Sequence, residues 1–152
     1  MGYEDLIAGQ RGTAEVLARL IDSVGGEVLG RVWVPGKWSV RAILAHMAED
    51  ELSSSWRYRQ MIEHPGIALM GFDQDLWARL GSYETWTAAE GLAMFRALRE
   101  ANLRMLANLI PEEWECYGVH AERGRMTVAE LARHMLGHDE RHILQIRRLL
   151  VT

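Results

Sequence analysis

Cysteine is nearly absent: Cys116 is the one thiol in 152 residues. An internal disulfide and a cysteine-rich metal knuckle are therefore both excluded, and a reducing cytoplasm is the expected compartment. Long hydrophobic runs are missing too. None approaches the roughly 20 apolar residues that cross a bilayer, so no membrane association is expected. The opening stretch MGYEDLIAGQRG lacks a basic segment followed by an apolar one and does not read as a secretory signal. Met1-Gly2 is not read as a myristoylation site, because Leu6 stands where Ser or Thr is required. Blocks of Lys and Arg are absent, and the net charge is −4. Arg147 and Arg148, near the end of a helix, are explained by its C-terminal dipole. Nucleic acid is thus not an expected partner.

No stretch sustains the alternation of a strand, and there is neither a repeat nor a low-complexity segment. What remains is helical periodicity in a chain of one-domain size, 1–152, with 49% hydrophobic and 25% charged residues. Such a chain should bury roughly 70% of its unfolded surface. Six tryptophans and eight methionines are expected mostly in the core, filling gaps between helices.

The pattern predicts four long helices. The first runs from about Tyr3 to Val24, stopped by Gly25-Gly26. Ser39 should cap the second, which ends near Glu63 before His64-Pro65-Gly66. From Pro65 to Trp86 the periodicity weakens, leaving one short turn of helix around Asp73 to Leu80. Thr87 with Glu90 forms a capping box that opens the third helix, to about Ile110. The segment CYGVHAERGRM reads as loop, and Thr127 with Glu130 opens the fourth helix. The fold class is all-α, a four-helix bundle.

On the fourth helix the inward register runs Val128, Leu131, Met135, His138, His142, Ile146 and Leu149. Histidines at His138 and His142 thus occupy core positions. Four residues along a helix give a rise of about 6 Å and a drift of about 40°, so the two rings share a face and can grip one ion. Without a partner, each buried imidazole would cost about 1–3 kcal/mol. His46, on the inward side of the second helix, is the candidate third ligand; Asp50, one turn on, could orient His46 through a water or bind an outer coordination site, and Gln145, three residues past His142, could hydrogen-bond a ligand or substrate. Three protein ligands leave coordination positions open, as in catalytic rather than closed structural sites. The competing reading is that histidines at this spacing are ordinary surface or satisfied core residues. Glu140 points off the metal face, and no HExxH glutamate is present, which argues against protease chemistry. His134 drifts to the flank and is expected to be structural. His64 should be solvated, His120 could reach the mouth of the site, and Cys116 should be a small hydrophobe rather than a nucleophile.

The segment WSVRAILAHMAEDE, followed far downstream by GHDERHILQI, resembles the DinB/YfiT-like superfamily. Its motif is one histidine in the second helix and His-x-x-x-His-x-x-Gln-Ile in the last; His46, His138, His142, Gln145 and Ile146 match it. The segments FDQDLWARLGSYE and GVHAERGRMT extend the resemblance over nearly the whole chain. The resemblance implies an up-down-down-up bundle, often dimeric, holding zinc, nickel or a similar divalent ion on the three histidines. Iron and manganese also accept imidazole and water. It further implies activities such as thiol S-transfer with a low-molecular-weight thiol (bacillithiol or mycothiol) or isomerisation of maleylpyruvate. The leading expectation is a metal-dependent enzyme that activates a thiol against a small electrophile. Two alternatives stay open: metal-dependent hydrolysis of a small ester, amide or phosphate, and a non-catalytic metal- or ligand-binding bundle linked to stress. No basic cluster assignable to a thiol cofactor's carboxylates is apparent in the sequence.

Overall fold

A computed structural model describes residues 2–152. Its elements are α1 (Tyr3–Arg11), α2 (Thr13–Ile21), α3 (Gly26–Leu29), α4 (Val40–Glu63), β1 (Ile67–Leu69), α5 (Gln74–Leu80), a 3₁₀ turn (Tyr83–Thr85), α6 (Ala88–Ala107), α7 (Pro111–Trp114), β2 (Tyr117–His120), β3 (Gly124–Thr127) and α8 (Val128–Leu150). The expected caps form. Ser39 Oγ accepts the Ala42 amide at 3.2 Å, and Thr87/Glu90 and Thr127/Glu130 close their boxes at 2.9–3.1 Å.

The bundle consists of α1–α2, α4, α6 and α8, and its directions follow from residue pairs. Gly91 opens α6 against Leu44 and Ala45 near the start of α4, and further along Asn102 meets Glu51 and Arg59, so α4 and α6 run parallel. Ser54 meets Met135 while His46 meets His138, so α8 runs against α4. Gln10 reaches Ala132 and Thr13 reaches Asp139, which sets α1–α2 parallel to α8. The order is up-down-down-up. Parallel neighbours need a connection that travels back along the bundle. Residues 64–87 supply it, which is why that segment carries β1, α5 and the 3₁₀ turn.

Three expectations are corrected here. The first helix is not continuous: it breaks at Gly12, where α1 and α2 bring Gln10 and Thr13 onto α8. It also ends at Ile21 rather than Val24, with Ser23 at φ 60°, and Gly26 begins α3 instead of stopping a helix. CYGVHAERGRM is not loop. It forms a hairpin, Tyr117↔Thr127 to His120↔Gly124, onto which β1 adds in parallel with Ile67 opposite Gly118. Strands of three and four residues are too short to show sustained alternation. Gly124, at φ 72°, turns the hairpin back into α8. The third helix stops at Ala107, slightly short of Ile110.

Two apolar clusters fill the bundle. One gathers Leu6, Tyr58, Met61, Leu106, Trp114, Leu131 and Met135 near the hairpin. The other gathers Leu17, Ile43, Leu44, Met47, Phe95 and Ile146. Methionine follows the core expectation better than tryptophan. Met47, Met61, Met126 and Met135 are buried, whereas Trp114 alone of the tryptophans is buried and Trp56 is 65% exposed. No helix among the described residues is long and apolar enough to cross a membrane.

The α4–α6 crossing depends on Gly91. A Cβ there would lie 3.1 Å from the backbone of Leu44 and Ala45, atoms that cannot rotate away. Gly91→Ala is expected to destabilise the fold by about 1–3 kcal/mol despite alanine's better helix propensity, as measured by urea denaturation.

Candidate metal centre

Along α4 and α8, between the two apolar clusters, the inward positions turn polar. His46 is 2% exposed and His138 6%, while His142 is partly buried. The helical spacing that predicted a shared face brings His138 and His142 to 4.4 Å between ring centroids, with His46 at 5.1 and 4.9 Å from them across the interface. The Nε2 atoms converge: His46 to His138 is 3.0 Å, and His142 to His138 is 3.2 Å. Asp50 Oδ2 lies 3.2 Å from the same His138 nitrogen.

Which of these contacts are hydrogen bonds depends on which ring nitrogens carry protons. Burial, reinforced by the charge of His142, pushes the His46 pKa down to about 3, and burial lowers His138 and His142 as well. All three rings are therefore neutral near pH 7, with one proton each. Gln145 Oε1 lies 2.8 Å from His142 Nδ1. With the amide oxygen accepting, Nδ1 keeps the proton and Nε2 presents a lone pair inward. A divalent ion about 2.0–2.1 Å from each of three imidazoles holds their nitrogens roughly 3.0–3.4 Å apart, and the 3.0 and 3.2 Å separations fit. The three side chains form the metal-competent group among the described residues. Burial raises the Asp50 pKa to about 6, leaving it poised to exchange a proton with whatever occupies the fourth side. Trp38 packs against His46 at 4.8 Å between centroids.

Gln145 gives the first consequence. Gln145→Leu removes the acceptor that sets the His142 tautomer, and metal affinity is expected to fall about 10–100-fold with binding still at one ion per chain. Competition titration against a chromogenic chelator measures it.

Behind the histidines lies a network that the sequence reading passed over. Arg99 of α6 donates to Glu51 Oε1 and Oε2 at 2.9 Å and to Asp139 Oδ2 and Oδ1 at 2.8 and 3.0 Å. It also donates to the Gln10 carbonyl at 2.9 Å. Thr13 and Asn102 complete the carboxylates' partners. Glu51 follows Asp50, and Asp139 follows His138, so this ionic cluster fixes the axial register of the two ligand-bearing helices. The signal was available: Arg99 and Asn102 sit in the apolar stripe of α6 with Phe95, Leu103 and Leu106.

The remaining histidines separate as follows. His64 is exposed beside Glu63, and His120 Nδ1 accepts the amides of Glu122 and Arg123. His134 is half-buried against Arg123 and stands outside the trio. Cys116 packs partly buried against the core, and Glu140 is exposed.

Of the three, His138 lines a cavity of about 450 Å³, together with Asp50 and residues of the long connection and the hairpin. Three arginines that are scattered along the sequence share this cavity. Arg57 of α4, Arg123 of the hairpin turn and Arg141 of α8 all line this cavity, brought together from positions far apart in the chain.

Comparison with known proteins agrees with the architecture. A protein of Oceanobacillus iheyensis provisionally named a metal-dependent hydrolase is 22% identical over 131 residues, 86% of this chain and 75% of that one. Bacillus subtilis YfiT, provisionally named likewise, is 23% identical over 75% of this chain and 65% of its own. The structure described as "YfiT from Bacillus subtilis is a probable metal-dependent hydrolase with an unusual four-helix bundle topology" superposes with a TM-score of 0.89 at 19% identity, covering 97% of this chain and 85% of that one. A mycothiol-dependent maleylpyruvate isomerase superposes at 0.76 and 11% identity, covering 96% of this chain and 61% of that one. The profile of the DinB superfamily matches residues 11–146, and the chain belongs to that superfamily.

Proposed function

We propose that the protein is a metal-dependent enzyme acting on a small molecule, with His46, His138 and His142 holding one divalent ion, zinc or nickel foremost. One observation carries this: three neutral imidazoles present converging Nε2 atoms at metal-bonding separations beside a cavity of substrate size. The bound ion would supply Lewis acidity, lowering the pKa of a thiol or water in the open positions.

The chain's own residues do the rest. Gln145 holds His142 in register, and Trp38 shields His46 from solvent. Asp50, buried and 3.2 Å from His138 Nε2, would take a proton from the nucleophile and return it to a leaving group, a role its raised pKa supports. The leading reaction is attack of a low-molecular-weight thiol on a small electrophile, a reading supported by the likeness to the mycothiol-dependent isomerase. Hydrolysis is the second reading. It is favoured by the same carboxylate, which would serve a water as well as a thiol, and by the relatives' provisional names.

The zinc- and nickel-loaded protein is tested on a panel of small electrophiles and chromogenic esters, with and without bacillithiol, mycothiol or cysteine. Turnover that requires thiol and is lost in His138→Ala supports the first reading. Thiol-independent turnover lost in the same variant supports the second. Turnover unchanged by chelation and by His138→Ala contradicts both.

A further inference from the structure

The arginine-lined wall of the cavity has no role in holding a metal. Arg57, Arg123 and Arg141 come from three different elements, and none of them forms an ion pair with a carboxylate among the described residues. Two of them are held by neighbouring groups. Arg57 donates to the Met70 carbonyl at 2.6 Å and lies over Phe72, and Arg123 lies 2.8 Å from His134 Nε2. All three charges act on the same imidazole. After burial, Arg123, Arg141 and Arg57 in turn push the His134 pKa down, to about 4, and all three line the cavity that His134 also lines.

Three carboxylates share the cavity, and two are committed. Asp73 caps α5 by accepting the Asp75 and Leu76 amides, and Asp50 faces His138. Glu122 stands exposed on the hairpin turn. The Asp50 charge acts on Arg57, but no carboxylate among the described residues closes an ion pair with any of the three arginines, and guanidinium forks match the oxygens of carboxylate and phosphate. The volume suits a small molecule, and a net charge of −4 argues against a polyanion on this surface.

We propose that Arg57, Arg123 and Arg141 bind an oxyanion group of the substrate, a carboxylate or a phosphate, and so direct its reacting end towards His46, His138 and His142. This assignment rests on the reading of the histidines as a metal centre. It names the substrate class, a small anion, and gives the side chains that select it.

Binding of succinate, inorganic phosphate and the neutral isostere succinamide is measured by calorimetry and NMR shift titration at low salt, on metal-free and on zinc-loaded protein. The variants are Arg123→Gln, Arg141→Gln and the pair. Arg123 and Arg141 are exposed, so the fold should persist, as thermal melting verifies. Arg147→Gln removes one positive charge from an exposed position away from the cavity and controls for net charge.

In metal-free protein one of the anions should bind roughly tenfold or more tightly than succinamide, weakening with salt. The double variant should lose roughly tenfold or more of that affinity, and Arg147→Gln less than about twofold. Tighter succinate marks a carboxylate substrate, and tighter phosphate a phosphorylated one. The assignment is overturned if neither anion binds better than succinamide, or if the double variant binds as the wild type does. The two readings fail separately. One metal per chain without arginine-dependent anion binding removes only the arginine assignment, whereas arginine-dependent binding without stoichiometric metal removes the metal centre.

Discussion

His142→Ala, prepared without an affinity tag, is expected to lose metal from one equivalent per chain to a small fraction of one. The substitution removes one of three Nε2 donors whose separations suit a single ion. Losing an outer partner of a ligand costs about 10–100-fold in affinity, and losing the ligand itself should cost more. His138→Ala should be at least as damaging, because its Nε2 neighbours both other rings and Asp50. Alanine at either position also removes ring packing and hydrogen bonds, so each variant's melting is compared with its own chelated form. Metal should stabilise the wild type alone. At a free concentration of about 1,000 times Kd the gain is about 4 kcal/mol, or roughly 8–16 °C in Tm for a chain of this size. Melting curves with zinc, with nickel and with chelator, set beside elemental analysis, give both readouts on the same samples. A His142→Ala protein that still holds one equivalent and still melts higher with metal would contradict the assignment.

The second large effect lies away from the metal. Arg99→Met is expected to destabilise the fold by about 3–5 kcal/mol, because it leaves Glu51 and Asp139 buried without their counter-charge. That is a substantial share of a typical domain's 5–15 kcal/mol, and it should lower Tm by about 6–20 °C. Arg99→Lys should fall between, since one ammonium cannot match the paired contacts to both carboxylates. Denaturant titration of the three proteins orders them. If Arg99→Met melted like wild type, the network would be dispensable, and the register of α4 against α8 would have to come from apolar packing alone.

These two predictions also mark where the sequence was informative. His138 and His142 were legible because helix periodicity converts spacing directly into a shared face, and because they replace apolar residues in a register set by Leu131, Met135 and Ile146. His46 was legible by the same rule on α4. The capping boxes at Thr87 and Thr127 placed two long helices by local chemistry. Arg99 obeys the register rule on α6 as plainly as His138 does on α8. The hairpin was hidden because its strands are only four residues long. The break at Gly12 is stabilised by contacts of Gln10 and Thr13 to residues more than a hundred positions away. The arginine cluster was out of reach for a similar reason. Arg57, Arg123 and Arg141 meet only after the hairpin and the long connection fold onto the bundle, and no spacing along the chain encodes that meeting.

Absorption spectroscopy at the metal edge of zinc- or nickel-loaded protein probes the shared cation most directly. The expected spectrum contains three imidazole nitrogens at about 2.0–2.1 Å with oxygen ligands completing the shell, and one imidazole fewer in His46→Ala. A spectrum with fewer than three imidazoles, or one that His46→Ala leaves unchanged, would show that the two helices do not share an ion.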